Sequence, residues 1–459
     1  MQSQSLSIQS SAGISRTFWR YAIPSIAAML VSGLYQIIDG VFVGHYMGAE
    51  GLAAINMAWP VVFIIGGVGL MIGMGCGSLI SMSRGEGLQH KAQQALSTGF
   101  GLLLVVGVAL MALMLFVGQY LLIAQGARDL ALKLATEYVD VFGWCALLTI
   151  TAAAIPILVR NDESPNLATV LMVLGALLNI VLDYLLIGHL GWGLRGAAIA
   201  TVLAQAAVCL GGIGYFLLGR SQLGLRFRLA FGGKLAGRIL LLGASCLVMY
   251  LYTSFVVGLH NWLFVKYGTE LTVGAFAIVG YLMTLYYLIA EGVGEGVQPQ
   301  VSYYFGARED FNIQKVMKLA TKVTLVAGVL WIGLLNFFPD PLISLFNGDN
   351  QALMSEAANG IRLHLFAIFL DGFIVLASVY FMSVNQGGKA LGISVGNMAI
   401  QLPFLFFLPQ WLGVNGVWLA LPLSNIALFA IVAPMVWRDL QQRSAVAPVG
   451  ISAQEPEAG

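Results

Sequence analysis

Charge, cysteine and histidine are all scarce in this 459-residue chain. Charged side chains fill 9% of positions, against about 25% in soluble domains, while 59% are hydrophobic, which excludes a water-soluble enzyme or binding module. The four cysteines, Cys76, Cys145, Cys209 and Cys246, stand singly in separate apolar stretches. They offer neither a disulfide framework nor metal-ligand spacing, and read as apolar fillers. His45, His260 and His364 read as interfacial or packing residues. No Gly-x-x-x-x-Gly-Lys-Ser/Thr sequence occurs, and Gly66-Gly67-x-Gly69 opens no nucleotide-binding βα unit, so ATP is not the energy source. A net charge of +1, with no basic block outside short loops, gives no reason to expect nucleic acid. Met1 to Ser15 lacks a signal-peptide pattern.

What is abundant is long apolar sequence. Twelve stretches long enough to cross a bilayer lie near 18–43, 52–80, 94–118, 136–159, 167–187, 196–218, 237–265, 271–303, 316–338, 357–384, 390–411 and 415–437. The fold class is therefore an all-α polytopic membrane protein embedded in the lipid bilayer. With both termini cytoplasmic, only Arg128, Lys133, Arg195, Lys266 and Arg362 fall outside, leaving seventeen of the 22 Lys and Arg residues inside, Arg226 and Arg228 among them. That bias fixes the orientation.

The halves repeat. Gly48-Ala49-Glu50 matches Gly268-Thr269-Glu270, and Gly193-x-x-Gly196 matches Gly413-x-x-Gly416, both at an offset of 220. Two six-helix lobes of like orientation are related by a pseudo-two-fold axis along the membrane normal, an arrangement that binds substrate between its halves. The expected layout is a cytoplasmic tail over 1–15, an N-lobe over 16–218, a cytoplasmic linker over 219–236, a C-lobe over 237–437 and a tail over 438–459. A self-contained pair of lobes predicts a monomer.

Five carboxylates fall inside the apolar stretches, Asp39, Asp183, Glu291, Glu295 and Asp371, with no intramembrane Lys or Arg to neutralise them. Each costs roughly 2.5–3.5 kcal/mol on insertion scales unless paired or functional. The repeat does not duplicate them: an offset of 220 carries Asp39 to Leu259 and Asp183 to Pro403. Each lobe thus has its own polar constellation on a shared scaffold. In the first span, Pro24 leaves the helix able to bend and is the expected hinge. In the fifth, Asn179 and Asp183 share a face at i and i+4, and Thr201 supplies a polar group from the sixth. Two carboxylates in one dry pocket make proton uptake near neutral pH an expectation.

The sequence resembles the multidrug and toxic-compound extrusion (MATE) transporters, in the branch of the MepA-like and DinF-like pumps. The resemblance spans nearly the whole chain. It rests on Asp39-Gly40-Val41-Phe42-Val43-Gly44, Gly51-Leu52-Ala53-Ala54, Arg160-Asn161-Asp162, Asn179-x-x-x-Asp183, Gly193-x-x-Gly196-Ala197-Ala198 and Gln298-Pro299 in that order. It implies an antiporter of the bacterial cytoplasmic membrane that exports cationic amphipathic compounds in exchange for protons, or alternatively sodium, and needs no cofactor. It also implies an ion-coupling site at Asp39, Asn179, Asp183 and Thr201. DinF-like members place asparagines in the fourth helix near this pocket, where this chain reads Thr149 to Pro156.

Met283, Tyr287, Glu291, Glu295 and Gln298 form one stripe of the eighth span. An acidic, aromatic and thioether surface suits cations, so Met283, Tyr287, Glu291 and Glu295 are candidate substrate-binding residues. Tyr35 and Gln36 are expected to face them from the first span, with Tyr252 and Tyr380 contributing from the seventh and tenth. Asp371 is expected either to face the cavity or to pair near His364. Gly40, Gly44 and Gly48, and Gly69, Gly73 and Gly77, follow the spacing of close helix approach. Two other readings are a lipid-precursor flippase, whose cavity requires buried Lys or Arg, and an intramembrane enzyme, which requires a nucleophile with a base or metal cluster.

Overall fold

Long apolar runs in lipid satisfy their backbone only as helices or closed barrels, and here they are helices. The computed structural model describes residues 11–223, 232–347 and 350–445. Arg226, Arg228 and most of both expected tails lie outside the described residues. No strand occurs among the described residues. Among the described residues, ten helices are long and apolar enough to cross a membrane: Gly13–Gly48, Glu50–Gly85, Gln89–Ala124, Pro165–His189, Gly193–Leu217, Gly233–Tyr267, Leu271–Gly306, Asp310–Phe337, Gly387–Leu412 and Val414–Arg443. Two broken pairs complete twelve spans. They are Asp129–Trp144 with Ala146–Asn161, bent by 67°, as the fourth, and Gln351–His364 with Ile368–Ser383, bent by 51°, as the tenth.

The two breaks fall at equivalent places in the two halves, and the backbone repeats elsewhere too. Left-handed φ angles recur at Gly87 (73°) and Arg308 (58°), at Glu163 (61°) and Asn385 (62°), and at Gly193 and Gly413 (both 59°). Even non-glycine residues adopt this costly geometry where the duplicated chain path demands it. The first and second spans form one continuous helical path whose single non-helical residue is Gly48, with φ 66° and ψ −156°. Helical dihedrals run unbroken through Pro24. Its carbonyl accepts from Thr169 Oγ1 of the fifth span at 2.8 Å.

The lobes meet at the end that carries the chain termini. Glycines there let backbone touch backbone: a Cβ on Gly292 would lie 2.6 Å from Ile26 Cα, and one on Gly296 would lie 2.8 Å from Ala22 Cα. The contacts between second and eighth spans are reciprocal, since Gly85 abuts the Tyr303 carbonyl and Gly306 the Met82 carbonyl. Gly75 and Gly243 likewise seat the second span on the seventh. Further toward the opposite end, a Cβ added to Gly40, Gly258 or Gly280 would meet nothing within 4 Å among the described residues. Of the two small-residue stripes, Gly69, Gly73 and Gly77 pack the second span against the fourth, at Ile150, Ala154 and Asn161. The stripe on the first span packs at one position: a Cβ on Gly44 would lie 3.2 Å from Leu52 of the second span, whereas one on Gly40 or Gly48 would meet nothing within 4 Å among the described residues.

Candidate functional site

Asn179 and Asp183 occupy one face of the fifth span, and directly after Asp183 the helix widens into a π-helical segment, Tyr184–His189. Such segments concentrate at functional sites. Asn179 Nδ2 donates to Thr201 Oγ1 at 3.2 Å, and Thr201 Oγ1 donates to the Ala197 carbonyl at 3.1 Å. Asp39 reaches the same place from the first span and lies within electrostatic range of Asp183. Asp183 is 0% and Asp39 5% exposed. Asp39 Oδ1, Asn179 Oδ1 and both Asp183 carboxylate oxygens find no hydrogen-bond partner among the described residues. No Lys or Arg forms an ion pair with either acid among these residues. Uncompensated buried carboxylates cost several kcal/mol each, so this pocket is built to take up positive charge.

Beside it lies a cavity of about 260 Å³, lined by the first, second, fourth, fifth and sixth spans, with Tyr250 and Glu295 from the C-terminal half. Asp39, Asn179 and Thr201 form its polar wall, and Tyr35 and Gln36 also line it. Trp59, Phe63, Tyr138 and Tyr250 make much of the remainder aromatic. From the fourth span come Thr149, Ala152, Ala153 and Pro156, and Thr149 Oγ1 donates to Gln205 Oε1 at 2.8 Å. The chamber joins apolar ring faces to a few convergent polar groups, the usual make-up of a small-molecule site.

The stripe on the eighth span divides. Glu295 lines the cavity, whereas Met283, Tyr287 and Glu291 are absent from its walls, as is Asp371. Met283 is packed in a second apolar core with Phe276 and Trp418. Tyr287 donates to Asp371, which Asn397 and Asn425 also approach. Asp371 thus pairs with Tyr287 rather than near His364, whose Nδ1 bonds the Trp418 carbonyl at 2.8 Å. His260 and His364 sit in an aromatic cluster with Phe264, Phe276 and Trp418. Tyr380 does not face the chamber: it is fully buried and donates to Asp439 Oδ2 at 2.6 Å.

The expectation that Glu295 has no cationic partner is wrong. Arg160, from the end of the fourth span, bonds it at 2.7 Å, with the two side chains 1% and 11% exposed. Sequence alone hides this pairing, because a charge at a span end ordinarily faces water. Beside this pair, Asn161 Nδ2 donates to Gln298 Oε1 at 2.9 Å, Gln298 Nε2 donates to Ser78 Oγ at 3.1 Å, and Ser81 Oγ donates to Asn161 Oδ1 at 2.7 Å. Next to it, Asp162 accepts from Tyr215 at 2.7 Å and contacts Arg84 at 3.4 Å. Sequence reasoning also missed Tyr138, Gln205 and Tyr250 as cavity walls. Nothing local marks them, because an aromatic or amide in an apolar span looks the same facing lipid, core or cavity.

The sequence model of the MatE family matches residues 24–185 and again 244–407, one match in each half. The chain is similar to the multidrug export protein MepA of Staphylococcus aureus, 25% identical over 427 residues that cover 92% of this chain and 94% of MepA. In fold it is similar to a MOP superfamily transporter from Pyrococcus furiosus, reported with a binding pocket of reverse polarity, at a TM-score of 0.89 and 23% identity, covering 94% of this chain and 97% of that one. It is also similar to a multidrug resistance MATE family transporter in an outward-facing conformation, with a TM-score of 0.88, 23% identity, and coverage of 94% and 97%.

Proposed function

The chain belongs to the MatE family, whose members are membrane transporters and not enzymes, and from that premise we propose that it exports cationic amphipathic compounds in exchange for protons. The observation that carries this reading is the pair of buried carboxylates, Asp39 and Asp183, without hydrogen-bond partners among the described residues: Asp39 stands in the wall of an aromatic cavity and Asp183 lies beside it. A proton taken up there removes a charge that no Lys or Arg among the described residues balances and changes the hydrogen bonding of Asn179. The first helix, free to bend at Pro24, then narrows the chamber and displaces its occupant. With both termini in the cytoplasm of a bacterium, the closed end of the structure is cytoplasmic and the chamber faces outward. The protein works as a monomer in the inner membrane.

One observation favours sodium as the coupling ion instead. Four unpartnered oxygens from Asp39, Asn179 and Asp183, together with Thr201 Oγ1, supply five hard donors in one pocket. Reconstituted vesicles with the protein in known orientation separate the two readings. Ethidium transport driven by a pH gradient alone, and lost in Asp183→Asn, supports proton exchange; transport that requires a sodium gradient supports the other ion. Absence of organic-cation transport under every gradient refutes the efflux reading.

A further inference from the structure

The geometry points to Glu295 as a carboxylate that exchanges cationic partners during the transport cycle: Arg160 while the terminal end is closed, and a cationic substrate when that end opens. The inference rests on the efflux reading above and assigns its charge selectivity to one residue pair.

Three observations carry it. Glu295 belongs to the cavity wall and, among the described residues, is the single acid contributed to it by the C-terminal half. Its partner Arg160 belongs to the other half, and among the described residues this is the one ion pair that crosses between the lobes. The pair is also incompletely made: Arg160 bonds Glu295 through Nη1, while its buried Nε and Nη2 have no partner among the described residues. A guanidinium held by one of its three nitrogens forgoes the two-pronged geometry that makes arginine–carboxylate pairs strong. It is a partner that can be exchanged.

The exchange follows from the packing. Arg160–Glu295 and Asn161–Gln298 lie in the same seam as the backbone contacts of Gly292 and Gly296 on the first span. Opening this end must therefore separate Arg160 from Glu295 and leave the carboxylate bare in the chamber, on the side from which substrate enters. A cation with an apolar body satisfies it, with Tyr250 alongside. Closing the seam returns Arg160 as a competitor for the same oxygens, which weakens the hold on the cation once the chamber faces the other way. Glu291, one turn away and without an ion pair among the described residues, adds negative potential but has no such competitor.

The test is a binding cycle on the purified full-length chain with tetraphenylphosphonium as the probe. Arg160→Gln should tighten binding by about tenfold, the change that roughly 1.4 kcal/mol of lost competition makes, while slowing net efflux. Glu295→Gln should weaken binding, and adding Arg160→Gln to Glu295→Gln should tighten nothing. Arg160→Lys, which keeps the competing charge, should bind as the wild type does. Thermal melting verifies folding, and Arg160→Met replaces Arg160→Gln where the latter does not fold. If folded Arg160→Gln binds no tighter than wild type, or tightens equally without Glu295, the exchange is overturned while the efflux reading stands. Wild-type protein that binds no lipophilic cation overturns both.

Discussion

Adding one methyl group at Gly296 should open the terminal end of the transporter. Its Cβ would lie 2.8 Å from Ala22 Cα, 3.0 Å from Ala22 N and 3.0 Å from the Tyr21 carbonyl carbon. All three are backbone atoms, so no rotamer change can relieve the clash. Restoring carbon contacts of about 3.5–4.0 Å requires the first and eighth spans to part by roughly 1 Å. Overpacking of this kind costs about 1–3 kcal/mol, and because only the closed state contains the contact, the closed-to-open ratio should fall by about 5- to 150-fold. Ser302, fully buried in the seam beside Gln298, reports the change as Ser302→Cys in a background with Cys76, Cys145, Cys209 and Cys246 replaced by alanine. Maleimide labelling from the terminal side should accelerate in Gly296→Ala. Gly280→Ala, where the new methyl meets nothing within 4 Å, should leave it unchanged. Equal labelling of folded Gly296→Ala and its parent would refute the assignment of this seam as the gate.

Tyr250→Ala removes a ring from the cavity wall; losing about 0.5–2 kcal/mol of cation–π attraction should raise the half-saturating ethidium concentration by roughly 2- to 30-fold in vesicle transport. Tyr287→Phe strips one donor from buried Asp371, leaving Asn397 and Asn425. It should destabilise the protein by about 1–3 kcal/mol, read as a lower melting temperature, with little change in ethidium affinity. Burial pushes the Asp162 carboxyl, in the connection between the fourth and fifth spans, above its ordinary value of 3.8, against the hydrogen bonds of Ser221 and Tyr215 and the charge of Arg84. A raised carboxyl favours the fold fully below that ordinary value and loses its contribution as pH rises through the raised one. Melting temperatures of wild type and Asp162→Asn should therefore shift in favour of the variant as pH climbs through that window, and parallel pH profiles would contradict this.

The spans and their duplication were readable because lipid imposes a length and a polarity on every crossing segment, and because Gly48, Gly193 and Gly413 mark chain reversals that few other residues permit. Asp39 and Asp183 were readable as candidates for a related reason: a carboxylate in the middle of an apolar run is costly unless paired or functional, and Asn179 stands one turn before Asp183. Pairings across the fold were not. Glu295 and Arg160 are 135 residues apart, and Tyr287 and Asp371 are 84 apart, so each acid looked unpaired along its own helix. The bend in the fourth span, which puts Tyr138 on one segment and Thr149 on the next, was hidden in a run of uniformly apolar residues around Cys145.

The reciprocal seating of Gly85 on the Tyr303 carbonyl and Gly306 on the Met82 carbonyl is the self-complementary contact that a symmetric dimer makes. Two copies of a six-helix half would meet side by side through just such a glycine joint. Cut within the linker and produced as two polypeptides, the two halves should still find each other through it.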